Sequence, residues 1–290
     1  MLRNASVCDQ VMVVGGVDNY QFSRQILKEK NNDFLELVEA TPRNTAAAIA
    51  FAAFSLPPDS VMLVTPSDHL IGDQPRYEAA LSKAVSLARE GFLVTFGLKP
   101  SRPDTGFGYI EHAGNEVISF REKPDAETAQ GFLEKGSFLW NSGMFCFSAG
   151  TYLEELRQYE PVVFEKSQEA YKSAKDGFLP LELSLEIPSI SVDYAVMEKS
   201  EKIKVVPSDF SWSDMGSFEA LFEYFPESSK ERHGKNLVLG AGAKHVEFLG
   251  LDDVILVETP DAILVLNRAK AQDVKKIYEK LEKENPGLVN

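Results

Sequence analysis

Asp68 and Asp214 are the side chains whose setting points most directly to chemistry. Asp68 ends the apolar run Ser60-Val-Met-Leu-Val-Thr-Pro-Ser-Asp-His69, and Asp214 lies in Phe210-Ser-Trp-Ser-Asp-Met-Gly216. In each, an apolar or aromatic run meets a lone carboxylate beside Pro or Gly. An open α/β sheet delivers ligands in this way to the crevice at the carboxyl ends of its strands. Two carboxylates meeting there would hold Mg²⁺ against a phosphate substrate, because Mg²⁺ takes one or two carboxylates and completes its shell with phosphate oxygens and water. Loop aspartates also cap helices and form turns, and spacing alone leaves that alternative open. His69 has no second His at ligand spacing, so it reads as structural rather than as a zinc ligand. Cys8 and Cys146 imply no disulfide framework, and Cys146 in Met144-Phe-Cys-Phe147 reads as a small core residue.

The elements that must position these residues alternate. Strands are expected at Val11–Gly15, Asp33–Glu39, Ser60–Thr65 and Phe92–Gly97, and helices at Asn19–Lys30, Thr45–Leu56 and Arg76–Glu90. This rhythm, with continuous apolar strands, predicts an α/β fold around a mixed, mostly parallel sheet. Tyr109–His112 and Val117–Arg121 read as a short antiparallel insertion before a buried strand at Leu139–Phe147. Helices follow at Thr151–Tyr159 and Val162–Ala174, then a strand at Lys204–Val206 and a short helix at Phe218–Phe225. Beyond Glu227, short β segments at Asn236–Leu239, His245–Leu249, Val254–Glu258 and Ala262–Leu266 precede an amphipathic helix at Ala271–Glu284. The expected organisation is a domain over 1–226 and a small β module with a C-terminal helix over 227–290.

The 290 residues suffice for a large core, and 44% hydrophobic with 26% charged residues is ordinary for a globular chain. A net charge of −14 argues against nucleic acid or an anionic membrane as partner, so any anionic substrate needs a locally positive or metal-filled site. Apolar runs are too short to span a bilayer and the start is polar, which makes the cytoplasm the expected location.

Dispersed short motifs carry a resemblance. Pro42-Arg-Asn-Thr-Ala46, Thr65-Pro-Ser-Asp-His69, Thr105-Gly-Phe-Gly-Tyr-Ile110, Phe120-Arg-Glu-Lys-Pro124, Trp140-Asn-Ser-Gly-Met-Phe145, Val192-Asp-Tyr-Ala-Val-Met-Glu198 and Trp212-Ser-Asp-Met-Gly-Ser217 occur in this order. Together they resemble the sugar nucleotidyltransferases, most closely the mannose-1-phosphate guanylyltransferase branch. The resemblance implies a Rossmann-like nucleotidyltransferase domain that transfers GMP from GTP to mannose 1-phosphate with Mg²⁺ as cofactor. It implies that Asp68 and Asp214 hold the metal and Lys123 grips the sugar phosphate. Glu122 and Asn141 would bond sugar hydroxyls, Gly106 and Gly108 would admit close backbone approach, Arg43 and Asn44 would lie near the guanosine, and Asp193 would be a further ligand contact.

Each of these residues also has a plainer reading. Lys123 can be a solvated surface charge, Asn44 a helix cap, Asn141 a partner for backbone groups beside a strand, and Asp193 a helix cap.

The family also opens with a strand and a Gly-Gly-x-Gly-Thr-Arg-Leu loop followed by Pro-Lys, which this sequence does not contain. Met1–Asp9 resembles the helix after that region, and Gly15-Gly16 lacks the Arg and Lys. The expectation is an incomplete start, two unpaired ladders in the sheet and impaired turnover, with a non-catalytic sugar-phosphate or nucleotide-binding protein as the alternative. Some relatives continue into a phosphomannose isomerase domain. The chain stops soon after Glu284 without a His-rich motif, so isomerase activity is not expected. A homodimer through the β module is a possible assembly.

Overall fold

The structure, a computed structural model, describes residues 7–29, 33–242 and 244–288, so most of the Met1–Asp9 segment and the end of the helix expected at Asn19–Lys30 lie outside the described residues. The chain forms two compact units, Met1–Ser67 with Ile71–Ser211, and Asp68–Leu70 with Trp212–Asn290.

In the larger unit, β1 (Val11–Gly16) and β2 (Phe34–Glu39) pair in parallel from Val11 opposite Phe34 to Gly16 opposite Glu39, joined through α1 (Tyr20–Glu29). Helix α2 (Asn44–Phe54) is almost wholly apolar. It buries Ala46, Ala47, Ile49, Ala50, Phe51 and Ala53, as expected of a helix enclosed on several sides.

The main sheet contains β3 (Val61–Val64), β5 (Leu93–Leu98), β6 (Tyr109–Ala113), β7 (Glu116–Arg121), β8 (Phe138–Ser148) and β9 (Ile203–Ser208), in the order β3-β8-β5-β9-β7-β6, with a further β8–β6 pairing. Between β3 and β5 come the two-residue β4 (Leu70–Ile71) and α3 (Gln74–Arg89). Asp73 caps α3, and Tyr77, Ala80, Leu81, Ala84 and Ala88 form its buried stripe.

Strands β3, β5 and β9 run in one direction. Strand β8 runs against β3 and β5, and β7 runs against β9. The sheet is therefore mixed, and its antiparallel neighbours outnumber the single parallel pair, β5–β9. The β6–β7 hairpin, expected as an insertion, belongs to this sheet because β6 also pairs with β8 and β7 with β9. Among the described residues β1 pairs only with β2, and β3 only with β8.

Helix α4 (Ala126–Lys135) was not read from sequence, although both its ends are marked. The Asp125 side chain accepts the Thr128 N–H at 2.8 Å, and Gly136 closes the helix in the left-handed region. Helices α5 (Ala149–Tyr159), α6 (Pro161–Lys172) and α7 (Leu181–Leu185) follow β8.

The smaller unit contains β10 (Trp212–Ser213), α8 (Phe218–Tyr224) and a four-stranded sheet of β11 (Arg232–His233), β12 (Asn236–Leu239), β13 (Val254–Glu258) and β14 (Ile263–Asn267), then α9 (Val274–Glu284). Phe222 of α8 joins Leu237, Ile255, Leu266 and Ala271 in a separate core, which ties Phe218–Tyr224 to this unit. The strand expected at His245–Leu249 does not form. Strands β12 and β13 are parallel neighbours, so the segment between them is their crossover, and both sides of β12 are already paired.

Candidate active site

One group of the expected residues converges in the larger unit. Gly108 precedes β6, Glu122 and Lys123 follow β7, Asn141 lies on β8, and Asp193 opens a single π-helical turn, Asp193–Met197, of the kind that often marks functional positions. A Cβ on Gly108 would lie 2.5 Å from Glu122 Oε2, so only glycine leaves that carboxylate its place. Asn141 donates from its backbone N–H to the Gly108 carbonyl at 2.8 Å and from Nδ2 to Asp193 Oδ1 at 2.9 Å. Gly106 stands apart, in a turn where its N–H donates to Asp104 Oδ1 at 2.8 Å.

Acid groups dominate this cluster. Burial, then the neighbouring Glu122, pushes the Asp193 carboxyl up to about 6, while the Asn141 bond and the Lys123 charge pull it back. Burial, Glu122 and Asp193 likewise raise Glu198. Glu122 Oε2 is buried without a hydrogen-bond partner, whereas Oε1 faces Lys123 Nζ at 3.3 Å. Lys123 sits in the left-handed region at φ 43°, a conformation that costs about 1 kcal/mol in a non-glycine residue and aims its exposed ammonium beside the acids. A vacant buried acceptor beside a donor amide and a mobile cation suits a polyhydroxylated, phosphorylated ligand.

Arg43 and Asn44 lie at the start of α2. Arg43 Nε donates to the Ile187 carbonyl at 2.6 Å. Asn44, at φ 69°, accepts the Thr45 N–H on its own side chain at 2.8 Å, and α2 starts without a side-chain cap, so the helix-cap alternative for Asn44 does not hold. Thr45 Oγ1 in turn accepts the Val192 N–H at 2.9 Å, so this loop is tied to the segment leading into Asp193.

In the smaller unit, Trp212 Nε1 donates to His69 Nδ1 at 3.3 Å, with the rings near perpendicular. Burial lowers the His69 imidazole, and the carboxylates of Asp68 and then Asp214 both oppose that shift. Two acids far apart in sequence thus act on one imidazole. Asp214 Oδ1 accepts the Gly216 N–H at 3.1 Å, with Met215 left-handed at φ 52°. The turn-forming alternative therefore describes Asp214 as well, and the turn is what fixes its carboxylate. Two hard oxygen donors match what Mg²⁺ takes from protein. Among the described residues no group of three or more His, Cys, Asp or Glu gathers, so a cation here would draw its remaining oxygens from phosphate and water. Cys146, fully buried and pushed up to about 12 by that burial, is the core residue its sequence suggested.

Glu39 was missed. It ends β2, is 7% exposed, and leaves Oε1 without a partner, while the Arg43 backbone N–H donates to the carboxylate. Burial raises its pKa. The signal was present in Phe34-Leu-Glu-Leu-Val-Glu39, where an acid closes an apolar strand next to the Pro42-Arg-Asn44 loop.

A family model described as Nucleotidyl transferase matches residues 1–231, and one described as MannoseP isomerase/GMP-like beta-helix domain matches residues 233–281. A mannose-1-phosphate guanylyltransferase of Klebsiella pneumoniae is 40% identical over 284 residues, which cover 89% of this chain and 60% of that protein; the chain therefore spans less than two thirds of that relative. A Thermus thermophilus structure named as a mannose-1-phosphate geranyltransferase superposes with a TM-score of 0.79 at 30% identity, covering 97% of this chain and 87% of that one. A Helicobacter pylori structure named as a mannose-6-phosphate isomerase superposes at 0.70 with 38% identity, over 73% and 87% of the two chains.

Proposed function

The chain belongs to the nucleotidyl transferase family, and from that premise we propose that it transfers GMP from GTP to mannose 1-phosphate, giving GDP-mannose and pyrophosphate in a Mg²⁺-dependent reaction. The cluster of Glu122, Lys123, Asn141 and Asp193 around Gly108 carries this reading, together with the names of the relatives. The nucleophile, a phosphate oxygen of the sugar phosphate, is already ionised. It forms a bond to the α-phosphorus as the α–β bridging oxygen departs with pyrophosphate. No side chain has to remove a proton, so catalysis rests on alignment and charge.

Glu122 Oε2, Asn141 and Asp193 hold the sugar hydroxyls, and Lys123 holds the sugar phosphate. Glu39 reads the base. Guanine offers two adjacent donors, N1–H and the 2-amino group, to one carboxylate, whereas uracil offers a single N3–H flanked by acceptors. Asp68 and Asp214 are the metal ligands, and Mg²⁺ held by them supplies charge neutralisation at the phosphates. The sequence carries no Gly-rich loop bearing Arg and Lys, so turnover by residues 1–290 is slow while ligand binding persists. The chain works in the cytoplasm. It forms a homodimer through the smaller unit, where Ile263 (64% exposed) and Val265 (59% exposed) project from the terminal strand β14.

The test is to supply GTP, mannose 1-phosphate and Mg²⁺, and to measure GDP-mannose together with calorimetric binding of each substrate. Binding of both, with product at any rate above a protein-free control, is expected. Failure to bind either would overturn the reading. Conversion of mannose 6-phosphate to fructose 6-phosphate would point instead to the activity named for the H. pylori neighbour.

A further inference from the structure

The pairing of β5 with β8 breaks its register beside Asn141. Thr95 stands opposite Phe145 and Gly97 opposite Asn141, so Phe96 alone faces Ser142, Gly143 and Met144. This bulge lies inside a buried strand, with Gly143 in the left-handed region at φ 68°. Bulges beside functional sites re-aim a side chain, and something must hold them in place. Thr95 is fully buried, and its Oγ1 lies 3.0 Å from Asn141 Oδ1 and 3.4 Å from the Met144 carbonyl. Both acceptors belong to the bulged strand, so the single hydroxyl proton ties β5 to one end of the bulge or the other.

The groups around Asn141 fix which way its amide points. Its Oδ1 accepts the Gly143 N–H at 3.2 Å and lies within reach of the Thr95 hydroxyl. A flipped amide would set its NH₂ against the Gly143 N–H and its oxygen against Asp193 Oδ1. The observed orientation leaves Nδ2 donating to Asp193 Oδ1, with one further N–H in hand.

We infer that Thr95, which no ligand can reach, is the positioning residue of the sugar subsite: its hydroxyl pins the 142–144 bulge, whose Gly143 N–H holds the Asn141 amide toward Asp193 and the sugar. This inference rests on the reading of Asn141 as a sugar contact. A threonine serving only as packing would tolerate valine, which has nearly the same shape and good strand propensity.

The test uses Thr95→Val and Thr95→Ser, with Asn141→Ala as reference. Amide hydrogen exchange at Gly143 and calorimetric binding of mannose 1-phosphate and GTP are measured on each folded chain. Thr95→Val should lose Gly143 protection and weaken mannose 1-phosphate binding about tenfold or more, approaching Asn141→Ala, with GTP binding unchanged. Thr95→Ser should restore both. Retained Gly143 protection in Thr95→Val overturns the pin. Lost protection with wild-type sugar-phosphate affinity overturns the positioning role. A wild-type chain that binds no mannose 1-phosphate overturns the proposed function instead, and the Gly143 exchange still decides the pin.

Discussion

Asp193 is buried against a second acid, and this gives its titration a sign that can be measured. Its folded-state pKa of about 6 lies above the ordinary 3.8, so folding favours the neutral carboxyl. The stability this provides is full below about pH 4 and is lost as the pH rises through 6. Asp193→Asn keeps an acceptor for the Asn141 amide and removes the charge. Melting curves should show the variant more stable than wild type at pH 7.5, by on the order of 2 kcal/mol, with the difference closing near pH 4. Parallel curves would show that Asp193 is not held above its ordinary range. Glu39→Gln should erode the preference for GTP over UTP, because an amide presents a donor where guanine also presents donors; binding titrations with the two nucleotides check it. Asp68, Asp214 and Glu122 could be picked out in the sequence because each is an acid at a marked place, a strand end or a Gly- or Pro-bearing turn. Glu39 and Thr95 escaped notice because their significance lies in burial and in cross-strand partners, which no local pattern displays.

At the level of elements, the strands and helices that alternate with strong apolar patterning were legible from β1 through β5, the two-residue β4 excepted, and again at α5 and α6. The misreadings share a cause. The β6–β7 hairpin was read as an insertion although it extends the main sheet, and His245–Leu249 was given a strand it does not form, because local alternation reports what could be a strand and not which edges are open. The smaller unit offers a direct check of its packing. Gly240, at φ 79°, ends β12 where a Cβ would lie 2.0 Å from the Glu258 carbonyl, whereas Gly114, at φ 61°, has nothing within 4 Å. Gly114→Ala should cost only the left-handed penalty of about 1 kcal/mol, and Gly240→Ala at least about 2 kcal/mol because β13 must also shift. Thermal melting of the two variants separates these contributions, and equal losses would mean that β12 and β13 are not packed this closely.

For the whole molecule, a net charge of −14 sets the problem that any phosphate substrate meets. An acidic chain binds a triphosphate only where local cations or a metal offset the repulsion, and on the proposed reading a divalent cation at Asp68 and Asp214 would supply that offset. Gel filtration at several concentrations tests the homodimer, and Val265→Lys should shift a dimer toward monomer. The family was readable from seven dispersed motifs, whereas the place of Phe218–Tyr224 in the smaller unit emerged only from packing, since Phe222 carries no local mark of the core it joins. The metal-binding role of Asp68 and Asp214 is decided by calorimetric titration of GTP with and without Mg²⁺ into the wild-type chain and into Asp68→Asn and Asp214→Asn. Mg²⁺ should tighten binding to wild type by about tenfold or more and do little for either variant. The same Mg²⁺ response in all three proteins would rule out Asp68 and Asp214 as the metal ligands.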